Sequence, residues 1–297
     1  MNVASKLSMR GKLTLDEPMS RHTSWRLGGP ADRYYVPADL QDLQEFLASL
    51  DADVEILWVG LGSNLLVRDG GFRGQVIAPL NALRQIHMQL DGSLYAECGI
   101  SCAKLAKFCR NKELAGADFF AGIPGTVGGA LAMNAGAFGG ETWAAVEQLI
   151  MIDRYGRLSQ REQSEFKVGY RHVELPQQEW FAAAQFRFPA RTGDEESNIR
   201  ELLRKRNATQ PIGQPSCGSV FKNPPGQHAA QLIEAAGLKG YRLGTASVSD
   251  KHANFIISDS DTSAADIEAL IDHLRARVAE KFDVELETEV RIVGEAL

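Results

Sequence analysis

The chain has 297 residues, of which 44% are hydrophobic and 24% charged, and its formal net charge is −6. This length favours two or three compact units. The negative net charge argues against a nucleic-acid-binding protein, because phosphate binding needs clustered Lys and Arg. The chain has no apolar run of about 18 residues and no apolar segment among the basic residues of 1–12. We therefore expect a cytoplasmic protein without a membrane partner.

The first third alternates helix and strand signals before a glycine-rich turn. Asp39 can cap a helix, because apolar residues follow it at helical spacing, at Leu40, Leu43, Phe46, Leu47 and Leu50. Residues 54–59 then form an apolar stretch typical of a buried strand, and Gly60-Leu61-Gly62-Ser63-Asn64-Leu65-Leu66-Val67 follows. Such a turn commonly binds nucleotides, because its backbone N–H groups point at phosphate.

Two common nucleotide-binding motifs do not match this turn. The Rossmann pattern Gly-x-Gly-x-x-Gly requires glycine where Leu65 stands, and Asp69-Gly70-Gly71 follows instead of a helix. A P-loop is excluded as well, because no glycine-rich segment of the chain ends in Gly-Lys-Ser or Gly-Lys-Thr.

The middle of the chain predicts a mixture of short strands and helices. Strands are expected at 76–78, 94–98, 149–152 and 181–188, and Ser101 is a plausible N-cap for a helix that contains Leu105, Ala106, Phe108 and Cys109. The polar stretch 191–197 passes into a charged helix at 198–207, which is typical of a domain junction.

The last hundred residues predict a separate unit. A helix at 229–236 should stop at Gly237, and a second helix at 264–282 should be capped by Thr262 or Ser263, since Asp266 follows three residues after Ser263. Residues 284–293 alternate between apolar and polar at most positions, which predicts a strand. No repeat is visible, and the predicted architecture is α+β throughout.

Three segments carry more polar or small residues than packing alone requires. Seven glycines lie between 122 and 140, where a tight turn with close helix packing is the alternative to ligand contact, which we favour. The third segment, Cys217-Gly218-Ser219-Val220-Phe221-Lys222-Asn223-Pro224, places hydroxyl, ammonium and amide groups on irregular backbone. Together with 60–67, these segments suggest one large ligand and one reactive substrate.

Single residues outside these segments are ambiguous by themselves. Arg171 could be an ordinary exposed arginine, and His252 an ordinary structural histidine. Glu289 shares a strand face with Glu285, Glu287 and Arg291, and such a face is more often solvated than catalytic. The four cysteines, Cys98, Cys102, Cys109 and Cys217, lack paired Cys-x-x-Cys spacing, so we expect buried, reduced thiols and no metal site.

Seven blocks in the same order along nearly the whole chain resemble the UDP-N-acetylenolpyruvoylglucosamine reductases, which are FAD enzymes of peptidoglycan synthesis. The blocks are 22–31, 60–67, 122–140, Gly169-Tyr170-Arg171, 218–224, Lys251-His252-Ala253-Asn254-Phe255 and Glu287-Thr288-Glu289-Val290-Arg291. The short distance from Arg171 to the strand at 181–188 resembles the class without an additional tyrosine-bearing loop.

The resemblance implies a fold and a domain order. It implies an FAD-binding unit of the vanillyl-alcohol-oxidase type, made of two α+β subdomains at 1–83 and 84–195. A smaller α+β substrate-binding domain would follow at 196–297. The junction inferred from composition near residue 195 agrees with this order.

The resemblance also implies the chemistry and its residues. NADPH would reduce FAD, and hydride would then pass to C3 of UDP-N-acetylglucosamine enolpyruvate, while Ser219 would protonate C2 and Arg171 and Glu289 would stabilise the charge. Contacts to the UDP-sugar are implied for Tyr170, Lys222, Asn223 and His252. The implied FAD contacts are Gly60, Leu61, Gly62, Ser63, Asn64, Leu65, Gly122, Pro124, Gly125, Thr126, Gly128, Gly129, Asn134, Gly136 and Ala137. No obligate protein partner is expected.

Two other functions remain open at this point. A flavin oxidase of a small alcohol or sugar would have similar FAD-binding architecture, because fold alone does not fix function. A catalytically silent nucleotide-sugar binding protein could retain the pocket, although it would not need Arg171, Ser219 and Glu289 together.

Overall fold

A computed structural model describes residues 9–192 and 198–297. Their contacts divide the chain into two compact units, each built from separate segments. The first unit falls within Met1–Leu15, Arg33–Gly60 and Gly74–Leu202, and the second within Asp16–Asp32, Leu61–Arg73 and Leu203–Leu297. The predicted junction at 195/196 lies outside the described residues, and the division into 1–83, 84–195 and 196–297 stays a prediction.

The described chain contains short strands and six α-helices. The strands are β1 (Lys12–Pro18), β2 (Pro30–Val36), β3 (Ile56–Trp58), β4 (Leu65–Val67), β5 (Phe72–Ile77), β6 (Ile86–Met88), β7 (Leu94–Glu97), β8 (Gly136–Ala137), β9 (Gly140–Glu141), β10 (Val146–Asp153), β11 (Leu158–Glu162), β12 (Val168–Gly169), β13 (His172–Val173), β14 (Glu179–Phe186), β15 (Arg242–Leu243), β16 (Ala246–Val248), β17 (Ile256–Ser258) and β18 (Arg291–Val293). The helices are α1 (Leu40–Ala48), α2 (Cys102–Asn111), α3 (Val127–Met133), α4 (Ile199–Thr209), α5 (Ala229–Ala235) and α6 (Ala264–Phe282).

The first unit contains a five-stranded sheet in the order β11-β10-β14-β7-β6. Its strands are antiparallel, and the central pairs align Leu149 with Ala184 and Ala184 with Ala96. The strands predicted at 94–98, 149–152 and 181–188 correspond to β7, β10 and β14 of this sheet, although β7 ends at Glu97 and β14 at Phe186. A buried core that includes Leu105, Leu131 and Phe186 joins the sheet to α2 and α3.

A four-stranded sheet in the order β1-β2-β5-β3 accompanies α1. Asp39 caps α1 by accepting a hydrogen bond from the Asp42 N–H at 2.9 Å, as its sequence predicts. The strand predicted at 54–59 is shorter, because only Ile56–Trp58 pairs with β5, in parallel register. The strand predicted at 76–78 is the end of the longer β5.

In the second unit, α5 and α6 pack on a three-stranded sheet in the order β15-β16-β17. Ser263 caps α6, and its side chain and that of Asp266 each bond to the other's backbone N–H, which forms the predicted capping box. Helix α5 ends before Gly237, which adopts a φ of 79°.

The long strand predicted at 284–293 is wrong in its extent. Only Arg291–Val293 forms a strand, which pairs in parallel with β4, and Thr288 adds a single bridge to Phe221. Burial nevertheless alternates at the start of the segment, since Leu286 is buried between the exposed Glu285 and Glu287. Alternating burial requires only an extended chain over a core, whereas a strand requires a partner for its backbone groups.

Candidate active site

Arg171 lies in the turn between β12 and β13 of the first unit, and its backbone is left-handed, with a φ of 52°. Its guanidinium donates hydrogen bonds to the carbonyl oxygens of Gly136 at 2.9 Å and Asn134 at 3.3 Å. The same group lies 5.1 Å from the ring centroid of Tyr170, which is itself 47% exposed. The predicted catalytic arginine is thus hydrogen-bonded to the backbone of the second glycine-rich segment, residues 122–140.

Asn134 links the same segment to the turn that contains Arg171. It lies at the C-terminal end of α3, where it is buried with a φ of 43°. Its Nδ2 donates to the Gly169 carbonyl at 3.2 Å and to Glu141 Oε2 at 3.1 Å. Its Oδ1 accepts from the Trp143 N–H at 3.2 Å. The amide therefore holds the turn that carries Arg171, and its predicted contact to FAD stays a prediction.

Close packing within the protein accounts for several glycines between 122 and 140. A Cβ at Gly128 would lie 2.8 Å from the Cβ of Cys98, and one at Gly122 would overlap the Phe138 ring. A Cβ at Gly140 would lie 2.5 Å from the Phe119 ring. In contrast, Gly129 meets only Thr126 Oγ1, at 3.6 Å, and Gly139 has nothing within 4 Å.

The backbone donors at the start of α3 are already used. Val127 N–H donates to the Ile100 carbonyl at 2.8 Å and Gly128 N–H to the Cys98 carbonyl at 2.9 Å. Gly129 N–H donates to Thr126 Oγ1 at 3.3 Å. These three N–H groups are therefore not available to phosphate, and any ligand contact of Gly128 and Gly129 would use other atoms.

The boundary between the two compact units lies within the first glycine-rich segment, between Gly60 and Leu61. In the first unit, Gly60 packs against Thr126, whose Oγ1 would lie 2.5 Å from a Cβ at that position. In the second unit, Gly62 has a φ of 65°, and its Cβ would overlap the His22 carbonyl. Leu61 is 42% exposed, and the Ser63 hydroxyl has no hydrogen-bond partner among residues 9–192 and 198–297.

Asn64 joins this segment to the chain around Glu289. Its Nδ2 donates to the Glu289 carbonyl at 2.9 Å, and its own carbonyl accepts from the Arg291 N–H at 3.1 Å. These bonds continue the parallel pairing of β4 with β18 by one residue. Glu289 is half-buried, whereas Glu285 and Glu287 are exposed, so Glu289 differs from its neighbours in a way that alternation did not reveal.

The Ser219 segment is bonded to the same stretch of chain. Glu289 N–H donates to the Val220 carbonyl at 2.8 Å, and Lys222 N–H donates to the Glu287 carbonyl at 2.9 Å. Ser219 is half-buried after Gly218, whose φ is 71°. Its hydroxyl has no hydrogen-bond partner in the described parts of the chain. The second unit thus brings the predicted catalytic residues Ser219 and Glu289 onto adjacent backbone.

The residues predicted to bind the UDP-sugar have different surroundings. Lys222 Nζ pairs with the exposed carboxylate of Glu287, and Asn223 Oδ1 accepts from the Ala229 N–H at 3.1 Å. His252 Nδ1 accepts from the Asn254 N–H at 3.3 Å. Burial lowers the pKa of His252, so its neutral form is favoured. Their contacts to substrate stay predictions.

All four cysteines are buried free thiols, as expected. Cys217 donates its thiol hydrogen to the carbonyls of Gly62 at 3.5 Å and Leu65 at 3.4 Å, and burial raises its pKa to about 12. The described residues contain no group of three His, Cys, Asp or Glu side chains placed to hold a metal ion. None of the described helices is long and apolar enough to cross a membrane.

Two family models match the chain, the FAD binding domain over residues 31–160 and the UDP-N-acetylenolpyruvoylglucosamine reductase C-terminal domain over residues 210–293. The chain is 56% identical to the UDP-N-acetylenolpyruvoylglucosamine reductase of Methylococcus capsulatus, covering 97% of this chain and 95% of that one. It is 54% identical to the Alkalilimnicola ehrlichii enzyme of the same name, covering 100% and 99%. The chain belongs to the UDP-N-acetylenolpyruvoylglucosamine reductase family.

A solved reductase of the family has the same fold. The crystal structure of UDP-N-acetylenolpyruvylglucosamine reductase from Thermus caldophilus aligns with a TM-score of 0.79 at 31% identity, covering 96% of this chain and 99% of that one. The protein is therefore an FAD-dependent oxidoreductase with the α+β, vanillyl-alcohol-oxidase type of FAD-binding unit and the reductase family's C-terminal domain. Its membership of the class without the tyrosine-bearing loop stays a prediction.

Features of both glycine-rich segments fit the cofactor of a reductase of this family. Space is open beside Gly139, and a Cβ at Gly129 would make only an ordinary contact with Thr126 Oγ1, at 3.6 Å. The apolar side chains of Leu61 and Phe138 are 42% and 43% exposed, each in its own unit. A flat ring system and a nucleotide need such close backbone approach and apolar surface. The residues present therefore suit FAD.

The structure also shows residues that the sequence did not assign. Asn254 and Cys217 bond to the backbone of the Ser219 and Gly62 segments, respectively. The sequence could have indicated a role for Asn254, since it lies in the block at Lys251–Phe255 that resembles the family. For Cys217, the only indication in the sequence was its position beside Gly218.

Proposed function

We propose that this chain reduces UDP-N-acetylglucosamine enolpyruvate to UDP-N-acetylmuramate with NADPH, and so supplies a peptidoglycan precursor. The observation that carries the proposal is the Ser219 hydroxyl, which is half-buried and has no hydrogen-bond partner in the described chain. A hydroxyl that only caps a turn would bond to nearby backbone. The relatives named above carry the corresponding reductase name.

The reaction consumes one NADPH and one proton and saturates the enol ether. When bound, FAD supplies the hydride chemistry, taking hydride from NADPH and passing it to C3 of the enolpyruvyl group. Negative charge then develops at C2 and spreads onto the substrate carboxylate. The Ser219 hydroxyl would donate its proton to C2, and that proton would be replaced from solvent.

Arg171 and Glu289 would stabilise the developing charge. The carbonyls of Gly136 and Asn134 fix the orientation of the Arg171 guanidinium, so little reorganisation is needed when charge appears. Glu289 could act as a second donor to the carboxylate in its neutral form. The loss of one preorganised donor costs about 3 kcal/mol in comparable sites.

Stopped-flow spectroscopy of Ser219→Ala tests the role of Ser219. We expect normal flavin reduction by NADPH and a loss of flavin reoxidation by the enolpyruvyl substrate under anaerobic conditions. Ser216→Ala is the matched control, because Ser216 lies in the same stretch and bonds to the Gln214 carbonyl. Normal reoxidation in Ser219→Ala would remove this residue from the mechanism.

The visible spectrum of the purified protein tests the proposed function itself. A yellow protein that bleaches with NADPH and recovers its colour only with the enolpyruvyl substrate would support the reductase. Rapid recovery with oxygen alone would favour an oxidase. A colourless protein that cannot be reconstituted with FAD, yet binds the UDP-sugar, would overturn the proposal.

A further inference from the structure

Asn254 is buried, at 3% exposure. Its side chain makes two hydrogen bonds to one residue of the Ser219 segment. Nδ2 donates to the Phe221 carbonyl at 2.8 Å, and Oδ1 accepts from the Phe221 N–H at 3.0 Å. The planar amide thus pairs with a backbone residue as a neighbouring strand would.

The main chain of Asn254 extends this pairing by one residue. Its carbonyl accepts from the Val220 N–H at 2.9 Å. The Val220 carbonyl accepts in turn from the Glu289 N–H at 2.8 Å. The Ser219 segment is therefore held between Asn254 on one side and the Glu289 stretch on the other.

We propose that Asn254 is a positioning residue that fixes the backbone of Val220 and Phe221, and through it the direction of the Ser219 hydroxyl. The kinetic part of this inference rests on the proposed function, because it assumes that Ser219 protonates the substrate. The structural part does not. The two parts therefore need separate measurements.

Few side chains can replace the amide at this position. Leucine is similar in size but would leave the Phe221 N–H and carbonyl without partners in a buried place. An ionised aspartate accepts from the N–H but places a second acceptor against the Phe221 carbonyl. A protonated aspartic acid restores both bonds, because its O–H donates where Nδ2 did. Asn254→Asp should therefore recover as pH falls.

Hydrogen–deuterium exchange of the FAD-loaded protein tests the structural part. In Asn254→Leu, we expect the Phe221 amide to exchange about tenfold faster or more, because its acceptor is lost. Asn207→Leu, the same substitution at an exposed position of α4, is the matched control, and its Phe221 exchange should match that of the natural chain. Unchanged exchange in Asn254→Leu would overturn the proposal.

The pH dependence of flavin reoxidation by the enolpyruvyl substrate tests the kinetic part. Between about pH 5 and pH 8, the Asn254→Asp rate should rise as pH falls, while Asn254→Leu stays low across the range. Nearby titratable groups are His252 on the same segment, Lys222 beyond Phe221, and Glu287 and Glu289 on the opposite stretch. Their titration is common to both variants, so the ratio of the two rates isolates residue 254.

The outcomes separate the two proposals. Lowered thermal stability of both variants with reoxidation equal to that of the natural chain would show a merely structural Asn254 and overturn its positioning role. A natural chain that takes up FAD but is not reoxidised by the enolpyruvyl substrate would contradict the proposed function instead. The exchange of the Phe221 amide would then still decide whether Asn254 fixes this segment.

Discussion

The side-chain amide of Asn64 donates a hydrogen bond to the carbonyl of Glu289 at 2.9 Å, across 225 residues of sequence. The first residue is predicted to contact FAD and the second to stabilise charge on the substrate. Their bond lies within one compact unit, next to the parallel pair β4 and β18. A residue of a glycine-rich loop thus supports the backbone of a predicted catalytic residue.

Asn64→Asp should weaken this support. The carboxylate cannot donate to the Glu289 carbonyl, and the lost bond to a part-buried acceptor costs about 1–2 kcal/mol. Thermal denaturation should show reduced stability, and the amides of 289–291 should exchange faster with deuterium. The control is Asn207→Asp, which introduces the same charge at an exposed position. Equal stability of Asn64→Asp and Asn207→Asp would contradict this prediction.

Arg171→Lys should separate charge from geometry. Lysine keeps the positive charge but has no planar fork, so it cannot bond to the carbonyls of Gly136 and Asn134 in the same way. We expect reoxidation by the enolpyruvyl substrate to fall by roughly 100-fold, as for the loss of one preorganised donor. The rate of flavin reduction by NADPH is the internal control. A lysine variant with full reoxidation activity would show that charge alone suffices.

Gly62→Ala and Gly237→Ala should differ in cost although both glycines have positive φ, at 65° and 79°. The added methyl at Gly62 would overlap the His22 carbonyl, whereas nothing lies within 4 Å at Gly237. Gly237→Ala should therefore lose only about 1–2 kcal/mol, the usual cost of left-handed backbone. Gly62→Ala should lose clearly more, or fail to fold. Denaturant unfolding of both proteins measures the difference, and equal losses would refute the packing argument.

Glu97→Gln should change how stability depends on pH. Glu97 is buried, its Oε2 accepts from the Gln85 N–H at 2.7 Å, and burial raises its pKa above the ordinary value of 4.5. Between pH 4.5 and the raised pKa, the folded state binds more protons than the unfolded state, so this group makes stability fall as pH rises. Glutamine keeps the acceptor and removes the charge.

Thermal denaturation from about pH 4 to pH 8 measures this effect. The natural chain should lose stability relative to Glu97→Gln as pH rises through this window. Glu55→Gln, at an exposed position, is the control and should not change the slope. Parallel curves for the natural chain and Glu97→Gln would contradict the prediction.

Local signals were sufficient for much of the fold. The caps Asp39, Ser101 and Ser263 are all used as predicted, because an N-cap needs only a short polar side chain and the N–H groups one turn ahead. Helix α6 has the predicted bounds for the same reason. The strand predicted at 284–293 was too long, since its length depends on β4, which lies more than 200 residues earlier.

For the site, the sequence alone determined the kinds of residue and the family they resemble. This was possible because each glycine-rich segment, and each block around Arg171, Ser219 and Glu289, is a contiguous stretch of sequence. Only the tertiary structure decided how they are held. The bonds from Asn64 to Glu289 and from Asn254 to Phe221 join distant segments. Such pairings follow from the packing of whole elements, and no local pattern specifies which amide will meet which carbonyl.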